Sequence, residues 1–220
     1  VAAGSYTVNV TDANGCIYTT AATVPNSSGP QVTISTQTNV SCFGGNNGAA
    51  TALVTGGTMA PGFPTYLWSN NQITGTSTNW MAGVHTVTIT DAVGCKASVS
   101  FSITQPASLT INVTGNNPLC ANATNGNANA GVLGGTPIYS YTWTPNPGLG
   151  GNTATPTNMG AGIYLVTVVD SQGCIITGSV QLVNPPQMLS SVTTTNVSCF
   201  NACNGSAVTT VTNAIGAVSY

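Results

Sequence analysis

Apolar and polar side chains alternate with a period of two in several short segments of the chain. The clearest segment is Gly83–Thr90, where His85, Val87 and Ile89 alternate with residues that are mostly threonine. Such alternation with β-branched residues is typical of strands, and no segment shows the apolar stripe of an amphipathic helix. The pattern predicts an all-β chain with strands at 4–10, 17–24, 31–38, 48–55, 64–69, 75–80, 83–90, 97–104, 108–114, 127–133, 138–144, 152–158, 162–169 and 175–182.

Three motifs recur along the chain in one register. An Asp-x-x-Gly-Cys turn begins at Asp12, Asp91 and Asp170, so successive copies lie 79 residues apart. About six short strands in each repeat predict tandem antiparallel β-sandwiches of about 79 residues, immunoglobulin-like in architecture. The other two motifs are a Cys-containing loop at 39–43, 117–120 and 196–200, and a Gly-Gly-Thr loop at 56–58 and 134–136.

The register of the repeat also predicts where domains begin and end. We expect the C-terminal part of a repeat at 1–33, complete sandwiches at 34–107 and 108–187, and the N-terminal part of a further repeat at 188–220. The chain is then a segment of a longer polypeptide. The alternative is a complete subunit whose two partial domains complement each other head to tail. That composite domain would lack the stretch equivalent to 142–158, which favours the continuous chain.

Each repeated turn carries Asp at its start and Gly at its end. An Asp side chain caps such a turn, and Gly tolerates a positive φ there. Turn capping is therefore the predicted role of Asp12, Asp91 and Asp170. The alternative, a calcium site, needs about six to eight oxygen ligands, whereas each repeat offers one carboxylate. We expect neither a metal site nor a cofactor.

The chain is almost uncharged. Its charged residues are those three aspartates and Lys96, and it has one histidine, His85. Nucleic-acid binding needs clustered Lys and Arg, and acid–base catalysis needs positioned titratable groups. The composition therefore argues against a nucleic-acid partner and against an enzyme, and no catalytic residue is predicted. No apolar run approaches the roughly 18 residues that suggest a membrane span.

Seven cysteines follow the repeat. Their wide spacing argues against zinc and favours disulfides in an oxidising, extracellular environment. Cysteines paired across a linker would lie more than a domain length apart, beyond the roughly 7 Å that a disulfide allows between Cα atoms. Within a repeat, we count four strands between the two cysteines, and an even number returns the chain to the same end. The predicted pairs are Cys42–Cys95 and Cys120–Cys174, with Cys16 and Cys199 paired outside the sequence and Cys203 unassigned.

The three tryptophans divide into two predicted roles. Trp68 and Trp143 each follow a Tyr-x pattern in a strand, which favours packing in a core. Trp80 has no aromatic counterpart at the aligned positions Val1 and Met159, so it is the candidate for an exposed surface contact. Rows of alternating threonine are the other candidate for binding, although threonine is also common on the solvated face of a strand.

Several motifs of the chain closely resemble the SprB-type repeat of very large cell-surface adhesins of the Bacteroidota. They are Val-Ser-Cys-Phe-Gly-Gly-Asn-Asn-Gly at 40–48, Gly-Gly-Thr at 56–58, Tyr-Leu-Trp at 66–68, Ala-Gly-Val-His-Thr-Val-Thr-Ile-Thr-Asp-Ala-Val-Gly-Cys at 82–95 and Ile-Thr-Gln-Pro at 103–106. The resemblance covers the whole chain. It implies export by type IX secretion and a cell-surface location. In gliding members an outer-membrane motor carries the adhesin along the cell.

Taken with the composition, the resemblance predicts a structural stalk segment of a long extracellular fibre or cell-surface adhesin. The alternatives are a self-assembling filament subunit and a module that binds polysaccharide or surfaces. Expected partners are neighbouring repeats of the same long chain or like chains, polysaccharide or abiotic surfaces, and, by resemblance, the outer-membrane secretion and motility machinery. Candidate glycosylation sequons begin at Asn9, Asn26, Asn39, Asn112, Asn122, Asn196 and Asn204.

Overall fold

The computed structural model describes residues 1–219, which form sixteen β-strands. The chain is all-β, as the alternation predicts. It divides into two compact units, Val1–Gln105 and the residues from Pro106 onward. Within the described part of the chain, no helix is long and apolar enough to cross a membrane.

The first unit contains a hairpin and a six-stranded sandwich. Two three-stranded antiparallel sheets form the sandwich, in the orders β3-β4-β6 and β5-β7-β8. The hairpin strands are β1 (Gly4–Thr11) and β2 (Ile17–Val24), and the sandwich strands are β3 (Pro30–Thr38), β4 (Gly48–Gly56), β5 (Thr65–Trp68), β6 (Thr76–Trp80), β7 (Gly83–Thr90) and β8 (Lys96–Ile103).

The second unit repeats this sandwich and ends in another hairpin. Its sheets have the orders β12-β10-β9 and β11-β13-β14. The sandwich strands are β9 (Thr110–Asn116), β10 (Gly126–Leu133), β11 (Ser140–Thr144), β12 (Thr157–Met159), β13 (Gly162–Val169) and β14 (Ile175–Leu182), and the hairpin strands are β15 (Leu189–Thr195) and β16 (Ser206–Thr212).

Each sandwich encloses its own apolar core, built from the inward positions of the alternating strands. In β7, for example, Val87 and Ile89 are fully buried, whereas Val84 is 75% exposed. The first core contains Val32, Val40, Ala50, Ala52, Trp68, Trp80, Val87, Ile89, Phe101 and Ile103. The second contains Ala128, Ala130, Trp143, Met159, Tyr164, Val166, Val168 and Leu182.

Two short strands share one crossing of the first sandwich. β5 pairs with the C-terminal half of β7, from Thr65 opposite Thr90 to Trp68 opposite Val87. β6 then pairs with the start of β4 in the other sheet and ends with Trp80 opposite Gly48. Both strands therefore run in the same direction, one after the other. Three crossings, and not four, separate the β3–β4 loop from the β7–β8 turn, so these two segments lie at opposite ends of the sandwich.

The predicted strands all find counterparts, with one large shift. The strand expected at 152–158 is confined to Thr157–Met159, because the residues before it form a turn in which the Thr153 N–H donates to the Gly150 carbonyl. The first sandwich begins at Pro30, ahead of the predicted domain 34–107, and the second spans Thr110–Leu182, within 108–187. The domain boundaries remain predictions.

Candidate functional site

A buried aspartate ties two segments together at one end of each sandwich. In the first, Asp91 Oδ1 accepts hydrogen bonds from the N–H groups of Val93 (3.1 Å) and Cys95 (2.8 Å) within the β7–β8 turn. Its Oδ2 accepts the N–H of Thr58 (2.9 Å) in the loop after β4. Asp91 is 1% exposed. We call this arrangement the aspartate clasp, because one carboxylate closes the turn and binds it to the neighbouring loop.

The second sandwich contains the same clasp. Asp170 Oδ1 accepts the N–H groups of Gln172 and Cys174, both at 2.9 Å. Its Oδ2 accepts the N–H of Thr136 at 2.8 Å. Two independent copies with the same donors show that the repeated Asp and the repeated Gly-Gly-Thr motif are one structural device. The sequence displays both motifs, but only the fold shows that they meet.

The glycines of the Gly-Gly-Thr loop are required by this close approach. Gly57 has φ +71°, and a Cβ there would lie 3.1 Å from Asp91 Oδ2 and 2.9 Å from the Cβ of Pro30. At Gly135, φ is +62° and a Cβ would lie 2.7 Å from Asp170 Oδ2. A side chain at either position would push the loop away from the carboxylate.

The clasp keeps both carboxylates ionised. The Thr58 N–H is the main cause that lowers the pKa of Asp91, and together with the N–H groups of the turn it outweighs the opposing effect of burial. At Asp170, burial would raise the pKa, but the N–H groups of Thr136, Cys174, Gln172 and Gly173 together lower it. The clasp is therefore a charge-assisted contact to backbone groups.

Asp12 forms only half of this arrangement. Its Oδ1 accepts the N–H groups of Asn14 and Cys16, both at 2.9 Å, within an exposed turn. The hairpin β1–β2 that carries it is almost entirely exposed. Asp12 thus provides an internal comparison for the contribution of the loop contact at Asp91 and Asp170.

The first and last strands of the sandwich lie in contact and are hydrogen-bonded to each other where they end. β3 starts beside the clasp, where Pro30 faces Gly57. It ends beside the end of β8, where the Val40 N–H donates to the Thr104 carbonyl at 3.0 Å. The two strands therefore run in the same direction at neighbouring edges of the facing sheets.

Side chains reinforce this contact. Asn39 Oδ1 accepts the N–H of Thr104 at 3.0 Å and a bond from Gln37 Nε2 at 3.1 Å. Gln37 Nε2 also donates to the Ser102 carbonyl at 2.7 Å. We call the contacts of Gln37, Asn39 and Val40 with Ser102 and Thr104 the strand clamp. Sequence reasoning did not assign Asn39 this role, although it opens the repeated loop motif.

A second strand clamp occurs in the other unit. Asn117 Oδ1 accepts the N–H of Val183 at 2.9 Å, and the N–H of Asn122 donates to Asn184 Oδ1 at 3.2 Å. β9 and β14 approach closely, since a Cβ at Gly178 would lie 2.6 Å from Val113 Cγ2. Asn117 thus repeats the contact of Asn39 in the first unit. The bond between Asn122 and Asn184 repeats the one that the Gly44 N–H donates to Gln105 Oε1 at 2.7 Å.

All three tryptophans are core residues. The indole N–H groups of Trp68 and Trp143 donate to the carbonyls of Thr74 (2.7 Å) and Thr153 (2.9 Å). The exposed contact expected at Trp80 is wrong, because this side chain is only 3% exposed and its ring lies 4.2 Å from that of His85. It occupies the inward position that Met159 fills in the second sandwich. The core therefore accepts either a tryptophan or a methionine side chain at this position.

The predicted disulfides Cys42–Cys95 and Cys120–Cys174 are not formed, since Cys95 and Cys120 are free and exposed. Cys42 lies in the β3–β4 loop and Cys95 in the β7–β8 turn, at opposite ends of β8. At about 3.3 Å per residue, the eight residues of β8 separate them by roughly 26 Å. The strand count behind the prediction was too high by one crossing. Cys42 and Cys174 are not free thiols.

Across residues 1–219, no three His, Cys, Asp or Glu side chains are grouped so as to hold a metal ion. The clasp carboxylates are already satisfied by backbone N–H groups. In the described structure these residues hold neighbouring chain segments together through backbone hydrogen bonds and apolar packing.

A family model described as the SprB repeat matches the chain at residues 34–73 and 112–148. These two segments are therefore similar to the SprB repeat. Each match runs from the first strand of a sandwich to the region of its core tryptophan, so it includes the loop cysteine, the Gly-Gly-Thr motif and the Asn of the strand clamp. The resemblance to the SprB repeat that the motifs predict is thereby confirmed for these two segments. No curated protein sequence matches that of the chain.

Among solved structures, the chain is similar to a chain from a study of Dscam isoform specificity, with 16% identity and a TM-score of 0.33. The alignment covers 81% of this chain and 53% of that one, so this chain spans about half of its length. A second similar structure is the amphioxus IgVJ-C2 molecule, with 17% identity, a TM-score of 0.28, and coverage of 69% and 96% of the two chains.

Proposed function

We propose that the chain is a load-bearing stalk segment of a long extracellular fibre or cell-surface adhesin. The strand clamp is the observation that carries this proposal. The polypeptide enters each sandwich at the start of β3 or β9 and leaves at the end of β8 or β14. These strands run in the same direction side by side, so tension between entry and exit shears one strand along the other. In shear, several hydrogen bonds must break together before the strands can separate.

The clasp supports the same role at the opposite end. It fixes the β7–β8 turn to the loop after β4, next to Pro30, where the chain enters. Nothing in the arrangement resembles a catalytic site, since the aspartates bind backbone groups and His85 Nε2 lies 3.0 Å from the Met81 carbonyl oxygen. The proposed role is therefore mechanical and non-catalytic, with neighbouring repeats of the same or like chains as the main partners.

Single-molecule pulling tests this proposal. With thiols reduced and load applied at the two ends of the chain, each sandwich should unfold in one event. That event should release about 20–25 nm, because roughly 75 residues extend to at most about 3.5 Å each. Load applied instead between residues 46 and 105, which lie at the same end of the first sandwich, should peel strands one at a time at clearly lower force. Equal forces in the two geometries would contradict a load-bearing design.

A second candidate is a self-assembling filament subunit, and the terminal hairpins favour it. Val8 and Val10 of β1 are 52% and 57% exposed, whereas their counterparts Val87 and Ile89 are fully buried in the complete sandwich. Hairpins with an open apolar face need a covering partner. Rapid growth of polymers from 220-residue subunits would support this candidate over the long covalent stalk.

A further inference from the structure

The repeat cysteines belong to two structural classes. Turn cysteines end the Asp-x-x-Gly-Cys turn, at the end of the sandwich where the chain enters. Loop cysteines lie in the loop after the first strand, at the end where the chain leaves. The turn class comprises Cys16, Cys95 and Cys174, and the loop class comprises Cys42, Cys120 and Cys199.

We propose that the loop cysteine of one repeat forms a disulfide with the turn cysteine of the repeat that follows it, and that Cys120 is placed for such a bond. The proposal deepens the stalk function and rests on it, since it assumes repeats that follow each other along a fibre. In such an array, the exit end of one sandwich and the entry end of the next share a junction. The two cysteine classes are then brought to that junction in equal numbers.

The surroundings of Cys120 supply the direct evidence. A cleft of about 340 Å³ lies beside Cys120 and is lined by the linker residues Pro186 and Met188 and by Ala214 and Ile215. Residues 213–215 follow β16 and stand where Gly-Gly-Thr follows the second strand of each complete sandwich. Asn213 keeps the positive φ of that motif, at +60° against +79° for Gly134.

In a complete sandwich this loop is the docking place of the Asp-x-x-Gly-Cys turn. Thr136 of the loop and Cys174 of the turn donate their N–H groups to the same Asp170 carboxylate, at 2.8 and 2.9 Å. The turn cysteine therefore lies within a few residues' reach of the loop. A turn docked in the same way on residues 213–215 would bring its cysteine into the cleft beside Cys120.

The occupant of the cleft is identified by the open hairpin next to it. Val192 of β15 is 61% exposed, although its counterpart Val113 packs against the core of the complete sandwich. The element that covers Val113 there is β14, the strand that follows the turn. The partner that fits β15–β16 is accordingly a hairpin of the β13–β14 type from the same kind of repeat, which carries a turn cysteine.

The distribution of free thiols agrees with this rule. For Cys16, Cys95, Cys120 and Cys199, the rule requires partners in repeats beyond residues 1–220, and all four are free. Neither Cys42 nor Cys174 is a free thiol. Cys203 lies outside both classes.

Each bond joins two thiols, which lose two protons and two electrons to a disulfide donor of the thiol oxidoreductase class by exchange.

Such disulfides would change the path that a mechanical load takes through each repeat. In an oxidised array, load that enters a repeat through its turn cysteine reaches the exit through β8 alone, from Cys95 to Thr104. The rest of the sandwich is then bypassed and cannot unravel.

Disulfide mapping of the parent protein tests the inference. Free thiols are blocked with N-ethylmaleimide before unfolding, and the cross-linked peptides are identified by mass. We expect the Cys120 peptide joined to a peptide that carries an Asp-x-x-Gly-Cys turn from the following repeat. A Cys120–Cys174 peptide, a bond between two loop cysteines, or a blocked Cys120 would each overturn the proposal.

Two variants sharpen the test. Cys120→Ser should release one turn cysteine for labelling by maleimide, whereas Cys203→Ser should release none. Failure to release a turn thiol in the first variant would overturn the pairing. The pulling experiment on the reduced chain does not depend on any disulfide, so the stalk function can hold even where this inference fails.

Discussion

Asp91 and Asp12 occupy the same place in the repeat, but only Asp91 reaches a second chain segment. Asp91→Asn replaces the Oδ2 acceptor by an NH₂ group that faces the Thr58 N–H. We expect it to lower the melting temperature of the first sandwich by several degrees, because a donor is left without its acceptor. Asp12→Asn is the matched control and should have little effect. Thermal denaturation measures both, and equal effects would show that the loop contact contributes nothing.

The lowered pKa values of Asp91 and Asp170 give stability a defined pH dependence. Both carboxylates ionise more readily in the folded chain than at the ordinary aspartate value of 3.8. Their stabilising contribution is therefore complete above that pH and is lost as pH falls through the lower, folded value. Denaturant midpoints measured between pH 7 and pH 2 should drop in this acidic range, and Asp91→Asn combined with Asp170→Asn should flatten the decline. A decline that starts near neutral pH would contradict this assignment.

Gly135 tests the close approach within the clasp. Gly135→Ala combines a positive φ with a Cβ 2.7 Å from Asp170 Oδ2, and should destabilise the second sandwich by about 2–4 kcal/mol. Gly173→Ala shares the positive φ but meets nothing within 4 Å. It should cost only the backbone strain, of about 1 kcal/mol. Chemical denaturation separates the two contributions, and equal costs would rule out the close contact as a constraint.

Trp80 shows what the sequence could not reveal at the residue scale. The alignment with Val1 and Met159 correctly marked position 80 as variable between repeats. However, a buried position that accepts different apolar side chains varies in sequence just as an exposed position does. Trp80→Ala should cost about 3–5 kcal/mol because it leaves a cavity beside Trp68 and Phe101. Val84→Ala, at a 75% exposed position, is the control. If both substitutions change the free energy of unfolding only slightly, Trp80 is not buried in the core.

At the scale of elements, the long strands could be predicted from the sequence, whereas the short strands determined whether the disulfide prediction was correct. β7 and β8 carry clear alternation, so their positions and their hairpin follow from the residues. β5 and β6 have only four and five residues, and no pattern in so short a segment tells which sheet it joins. That choice sets the number of crossings, and with it the end of the sandwich at which each cysteine lies.

The strand clamp makes its own prediction at this scale. Asn39→Ala removes the acceptor of the Thr104 N–H and a partner of Gln37. The unfolding free energy should fall by about 1 kcal/mol, and the unfolding force under end-to-end load should fall with it. Asn46→Ala, in the exposed part of the same loop, should change neither. A reduced free energy with an unchanged force would mean that β3 and β8 do not bear the load.

For the whole molecule, the strand alternation and the repeated motifs were sufficient to predict tandem β-sandwiches, and the resemblance of those motifs to the SprB repeat is confirmed at residues 34–73 and 112–148. The sequence could not predict how load passes through a repeat or which cysteines lie where repeats meet, because both depend on the end of the sandwich that each motif occupies. The clasp lies at the entry end and the strand clamp extends to the exit end. Each sandwich thus has side-chain contacts both at the end where the chain enters and at the end where it leaves.

The mass of the parent polypeptide, reduced and denatured, tests the account of a long covalent stalk most directly. The segment of 220 residues has a mass of 21.9 kDa. We predict a parent chain many times heavier, in which repeats of this kind follow one another and carry tension through a continuous backbone. A parent mass close to 21.9 kDa would contradict the account, and would mean that short subunits assemble through their open hairpins.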